Sequence, residues 1–128
     1  MKKNTIFLVL ILFSILISSC RYDFILPEEV PVIDNGGEPI SFATQIAPIF
    51  SAGDKCTACH KPGATAPDLT AAAAYAQIST KYINSASPET SGLLTTAGPA
   101  TSAHNWKKFS QGEAALILAW IKEGAKNN

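Results

Sequence analysis

Two cysteines and a histidine stand in the order Cys56-Thr57-Ala58-Cys59-His60. On a helical turn, residues three and four apart share a face. Cys56 and Cys59 therefore present two thiols side by side, and His60 carries an imidazole beneath them. That is the pattern of c-type haem attachment. The thiols reach two neighbouring vinyl groups on one edge of the macrocycle, and the ring of His60 binds the iron. Two other chemistries use the same residue types. A dithiol redox pair shares the Cys-x-x-Cys spacing, but it usually sits near a strand–helix unit, and no such unit is visible here. A zinc site needs about four ligands. Only Cys56, Cys59, His60 and His104 are available for one, and adjacent Cys59 and His60 chelate a single metal awkwardly.

A haem iron has a second axial position. The chain has two histidines, His60 and His104, and its single methionine is Met1. His104 is the natural sixth ligand, placed in a loop that can fold across the far face of the haem. The competing arrangement leaves His104 solvated, with the sixth site open, bound to water or taken by Lys107 or Lys108. Bis-histidine ligation sets a lower reduction potential than histidine–methionine, because a thioether ligand raises it. Pro67-Asp68-Leu69 follows His60 by seven to nine residues. It reads either as a device whose backbone carbonyl accepts the free ring N–H of His60, as outer partners of ligating histidines commonly do, or as a plain turn. Trp106 is a candidate for the haem edge, although packing is the commoner role of such an aromatic. Lys107 and Lys108 read as a solvated pair, with guidance of an acidic partner as the alternative.

The elements that must position these residues read as helices. Ser41 caps a helix over residues 42–50, with Ile46 and Phe50 on one face. Pro48 lies late in that stretch and should kink or shorten it. Residues 52–54 form a turn and 61–69 a loop. Thr70 caps an alanine-rich helix over 71–82, on which Tyr75, Ile78 and Tyr82 share a core face. Pro88, after Ser87, opens a short helix ending near Leu94. Residues 95–108 are a second loop. Ser110 and Glu113 form a capping box, followed by Ala114, Ile117, Trp120 and Ile121 at helical spacing and by Gly124 at the stop. No alternating strand pattern is present, and the fold class is all-α.

The remaining third of the chain concerns delivery. Lys2 and Lys3 precede an apolar run over residues 6–17 broken only by Ser14. The run is short for a spanning helix, which needs about 20 apolar residues, and it fits an export signal. Ser18-Ser19-Cys20 then resembles a bacterial lipobox, in which the cysteine is lipidated and becomes the new N-terminus. The expected organisation is a signal peptide over 1–19, a lipidated tether over 20–40 and a haem domain over 41–128. Residues 21–39 hold three prolines and Gly36-Gly37, and no period survives across them. An ordered arm is the alternative to a tether, with Tyr22, Phe24, Ile25 and Leu26 available to pack. Loss of Lys2 and Lys3 leaves eight basic against ten acidic side chains. Nucleic-acid binding, which needs clustered Lys and Arg, is therefore not expected. All three cysteines are used, Cys20 by lipid and Cys56 and Cys59 by haem.

From Ser41 to Ala125 the chain resembles the small c-type cytochrome domains of bacterial periplasmic and membrane-attached proteins. The resemblance lies in Pro48-Ile49-Phe50, Cys56-Thr57-Ala58-Cys59-His60, Asp68-Leu69-Thr70 with Ala74-Tyr75, and Ala119-Trp120-Ile121-Lys122-Glu123-Gly124-Ala125. The last segment is similar to the close of planctomycete-type cytochrome c domains. The resemblance implies a helical fold enclosing one covalent haem c, with first and last helices crossing. It implies electron transfer between redox partner proteins, with no chemistry on a substrate. The family often places methionine on the distal side, and this chain departs from it there. The expected protein is a monomer held by lipid in a bacterial envelope, facing the periplasm, at the outer membrane in preference to the inner. A haem-based ligand sensor and a small haem peroxidase are the alternatives, both needing an open sixth site.

Overall fold

The computed structural model describes residues 32–104 and 107–128. The signal segment, Cys20, Tyr22, Phe24, Ile25, Leu26 and Trp106 lie outside the described residues. Within them the chain is helical and contains no strand, in line with an all-α class.

The first helical stretch answers to its proline. The Ser41 side chain caps it, accepting from the Thr44 N–H at 3.3 Å. A wide π-helical turn, Phe42–Ile46, then runs into α1, Ala47–Ser51. Pro48 has no N–H, and in a regular helix its ring collides with the carbonyl four residues back. Here the wide register precedes it: Ile46 N–H reaches the Ser41 carbonyl at 3.3 Å, and Ala47 N–H bonds Phe42. Pro48 thus falls in the first turn of α1, where proline is tolerated. The kink expected at Pro48 is replaced by a change of helical register ahead of it. A 3-10 turn, Ala52–Asp54, follows, with Gly53 and Asp54 both left-handed at φ of 58° and 53°.

The middle of the chain is less regular than its composition suggests. The helix expected over 71–82 is α2, Ala74–Ser79. Thr70 does not cap it, because its hydroxyl donates to Asp68 Oδ1 at 2.7 Å. The helix expected from Pro88 splits into a 3-10 turn, Pro88–Thr90, and α3, Gly92–Ala97. Ser91 separates them with an extended ψ of 130°. It is fully buried, and its hydroxyl accepts the Asn84 N–H at 3.0 Å.

The last helix, α4, Gln111–Lys122, is built as its sequence reads. Ser110 Oγ accepts from Glu113 N–H at 3.2 Å, and Glu113 Oε2 accepts from Ser110 N–H at 2.7 Å. Ile117, Trp120 and Ile121 are buried. Gly124, at φ 98°, ends the helix in a Schellman turn: its N–H bonds the Ile121 carbonyl at 3.0 Å, and Ala125 N–H bonds Trp120 at 2.9 Å.

Both ends meet in one aromatic core. The Phe42 ring lies 5.2 Å from Tyr75 and 5.4 Å from Trp120. Such pairs add about 0.5–1.5 kcal/mol beyond their buried area. Their polar tips are satisfied, Tyr75 OH by the Ala125 carbonyl at 3.0 Å and Trp120 Nε1–H by Lys126 at 2.9 Å. Asn128 accepts from Phe42 N–H at 3.0 Å and Ala43 N–H at 2.9 Å, donors that the helix leaves unpaired. The packed unit reaches back past Ser41. Ile40 is buried, its N–H donates to Glu123 Oε2 at 2.7 Å, and Gln45 Nε2 holds Asn35 Oδ1 at 2.9 Å.

Glu113 joins α4 to the residue before Cys56 through an ion pair with Lys55. Burial pushes the Glu113 carboxyl up, but the Lys55 ammonium and the Ser110 N–H outweigh it and hold the group below its ordinary value of 4.5. Its stabilising effect is therefore present above that value and disappears as pH falls through the lower folded-state value. Glu113→Ala, losing box and ion pair, should cost about 1–2 kcal/mol in urea denaturation at pH 7. Glu113→Gln, which can keep the box, should cost less. The gap between wild type and Glu113→Gln should close below pH 4.5; a gap unchanged down to pH 3, about 1.5 units lower, would count against this pairing.

Candidate functional site

The Cys-x-x-Cys-His segment is a single helical turn pinned at both ends. Cys56 N–H and Thr57 N–H share the Phe50 carbonyl, at 2.8 and 3.2 Å. His60 N–H bonds the Cys56 carbonyl at 2.8 Å, the four-residue step that puts His60 on the face of Cys56. Downstream, Leu69 N–H returns to the His60 carbonyl at 3.0 Å and Thr65 N–H to the Cys59 carbonyl at 3.0 Å. The loop over 61–69 is thereby folded back onto the motif. Asp68 Oδ1 secures its end, accepting from Thr70 N–H at 2.9 Å.

That fold-back brings the Pro67 carbonyl to 3.2 Å from His60 Nδ1. A carbonyl only accepts, so the contact is a hydrogen bond when Nδ1 carries the proton. Nε2 then keeps its lone pair for a metal. Leu69 is buried, and with Pro67 it lines the same cavity as His60.

His104 lies on the lining of that cavity too. The two imidazole centres are 6.3 Å apart with ring planes at 29°. Aromatic pairs in general occur at about 4.5–7 Å, so distance alone has more than one meaning. A metal bonded to each of two opposed imidazoles at about 2.0–2.1 Å, with each nitrogen about 1.15 Å from its ring centre, requires centres about 6.4 Å apart. The centre spacing is compatible with that requirement, and it is equally that of a stacked ring pair.

Between the rings the walls are apolar. Ile78, Leu93 and Phe109, all buried, line the cavity with Ala97 and the half-buried Tyr82. It encloses about 170 Å³ and opens to solvent. Cofactor clefts commonly run to roughly 300–1,000 Å³. The enclosed space is smaller than that range. Cys56 is half-buried on the lining, whereas Cys59 is exposed and does not contribute to it. Burial pushes the Cys56 thiol above its ordinary value, Lys55 and Lys107 drawing it back and Glu113 adding to the rise. That is opposite to the depressed value of a reactive redox thiol. Among the described residues no group of three or more His, Cys, Asp or Glu is arranged to hold a metal ion. A tetrahedral zinc set of Cys56, Cys59, His60 and His104 is not assembled there. A haem brings four nitrogens of its own and needs only the two axial ligands.

The two lysines of the distal loop are not a freely solvated pair. Lys107 Nζ donates to the Asp54 carbonyl at 2.8 Å, and Lys108 Nζ donates to the Thr101 carbonyl. Of the lining residues, the sequence placed Tyr82 on a core face and left Phe109 and Leu93 unassigned. The signal for Phe109 was its position directly before the Ser110 cap, where an apolar residue commonly folds back on the helix. Leu93 carried no such signal.

Comparison of the chain with protein-family models, with curated proteins and with solved structures finds no match in any of the three. Among the described residues, no helix is long and apolar enough to cross a membrane.

The two thiols differ enough to be told apart chemically. In the bare polypeptide, exposed Cys59 should be alkylated by iodoacetamide at pH 8 about ten-fold faster than half-buried Cys56, with its raised thiol value. Peptide mass mapping over time reads the order; Cys56 reacting first would contradict this geometry.

Proposed function

We propose that this protein is a one-electron carrier, a monohaem c-type cytochrome with His60 and His104 as axial ligands. The observation that carries the reading is the histidine pair, 6.3 Å apart on one apolar cavity that also takes in Cys56. Cys56 and Cys59 would hold haem c by thioethers, His60 would bind the iron from the proximal side, and His104 from the distal side. The bound group supplies an iron that cycles between ferric and ferrous.

The chain's own residues keep that cycle free of rearrangement. Pro67 fixes the His60 ring by accepting its Nδ1–H, which also raises the basicity of the ligating nitrogen. Leu69, Ile78, Leu93 and Phe109 exclude water and keep the site apolar, a lever on reduction potential. The open mouth leaves an edge for a partner, and redox encounters use small, weak interfaces. Filling both axial positions argues for a carrier over a sensor or a peroxidase, each of which needs an open iron. By the same proposal the domain is a monomer, attached by lipid on Cys20 to a bacterial membrane, facing the periplasm and passing electrons between redox partner proteins. The outer membrane is the favoured site, since Arg21 next to Cys20 offers no acidic retention signal. The segment between the lipid and the packed arm that begins near Asn35 would let the domain swing between donor and acceptor.

Absorption spectroscopy tests the reading on protein matured in a haem-attaching bacterial host. The expected spectra are low-spin in both oxidation states. His104→Met should raise the reduction potential, since a thioether ligand favours the ferrous iron. Colourless protein would remove the haem altogether, and a high-spin ferrous form would remove His104 as ligand.

A further inference from the structure

We propose that the Lys55–Glu113 ion pair sets the reduction potential of the attached haem, as two opposed charges held at the wall that carries Cys56. The inference rests on the haem reading above and adds to it the charged residues that tune the iron.

The pair joins two stretches of the cavity wall. Lys55 directly precedes Cys56, and Ser110 directly follows Phe109; Cys56 and Phe109 both line the cavity. One carboxylate oxygen, Glu113 Oε2, accepts from the Lys55 ammonium and from the Ser110 N–H, the latter at 2.7 Å. Both side chains are partly shielded, Lys55 at 22% exposure and Glu113 at 27%. Salt screens such charges less than fully exposed ones.

The last helix needs only half of this arrangement. The carboxylate completes the capping box of α4 and stands in its first turn, where a negative charge is favourable. Lys55 adds nothing to the box, whose two bonds run between Ser110 and Glu113. What Lys55 does is set a positive charge against that carboxylate beside the haem-attachment turn. The Cys56 sulfur registers both charges. Burial is the largest influence on its thiol, followed by Lys55, which draws the value down, then Glu113, which raises it, then Lys107. Asp54 and Lys107, charged neighbours of the same wall, are exposed. Ferric iron carries one more positive charge than ferrous. A carboxylate alone would therefore favour the ferric form and an ammonium alone the ferrous form. Paired, the two largely cancel, and removing either one unbalances the site.

Spectroelectrochemical titration of the purified haem protein reads the potential. Wild type is compared with Glu113→Gln, Lys55→Gln, the double variant, Lys55→Arg and Glu89→Gln. Glu113→Gln, which can keep the box, should shift the one-electron equilibrium about five-fold toward ferrous iron, a rise of about 40 mV at about 59 mV per ten-fold. Lys55→Gln should shift it by a similar factor toward ferric iron, and Lys55→Met serves if the glutamine variant is not recovered. The double variant and the charge-keeping Lys55→Arg should both stay within about two-fold of wild type. Glu89→Gln is the control. It breaks a second ion pair, with Lys122 at 2.9 Å, whose side chains are 54% and 59% exposed and do not line the cavity. The same change of charge there should move the equilibrium by less than about 1.5-fold. Loosened packing would move the potential the same way in both single variants. Shifts of one sign in both, or no shift in either, would overturn the role of the pair and leave the haem reading standing. Colourless protein would overturn the haem reading and this inference with it.

Discussion

The approach of two imidazoles on one apolar-walled cavity is the constraint around which this site is arranged. The His60 and His104 ring centres are 6.3 Å apart, yet the residues are 44 positions apart in the chain. Holding them so requires that two loops, each rich in proline and glycine, be fixed at both ends. The proximal loop is held by backbone bonds that return to the motif, Leu69 to His60 and Thr65 to Cys59. The distal loop is closed at its base by Phe109 on Ala97, and its Lys107 reaches Asp54. Loop closure costs entropy that grows only slowly with length, so a few well-placed bonds are enough.

The aromatic core performs the complementary task. Phe42, Tyr75 and Trp120 join the first stretch, α2 and α4, well away from the histidines. Asn128 and Glu123 then tie the backbone near residue 40 to the last helix. Phe42 and Trp120 are buried in this part of the molecule. The cavity is left on the other side, where α2, α3 and the two loops meet. The ion pair of Lys55 with Glu113 links the two halves.

The sequence made some of this legible and hid the rest for physical reasons. Local signals survived intact: the capping box at Ser110 and Glu113, the stop at Gly124 and the helical class depend on neighbours within a few residues. The bond of Pro67 to His60 was one of two open readings, because a seven-residue fold-back is still nearly local. Helix extents failed where side chains had other partners. Thr70 gave its hydroxyl to Asp68, and buried Ser91 took an extended backbone that split the helix begun at Pro88. Pro48 changed the helical register upstream in place of bending the helix. Lys107 and Lys108 read as solvated because their acceptors are backbone carbonyls, one of them 53 positions away, and no sequence pattern announces a carbonyl.

The shared iron is the central claim, and paramagnetic resonance of the ferric protein tests it most directly. With ring planes at 29°, two axial imidazoles should give the rhombic low-spin signal of near-parallel ligands, lost in His104→Ala. An axial high-spin signal in the wild-type protein, or a low-spin signal untouched by that substitution, would contradict the account.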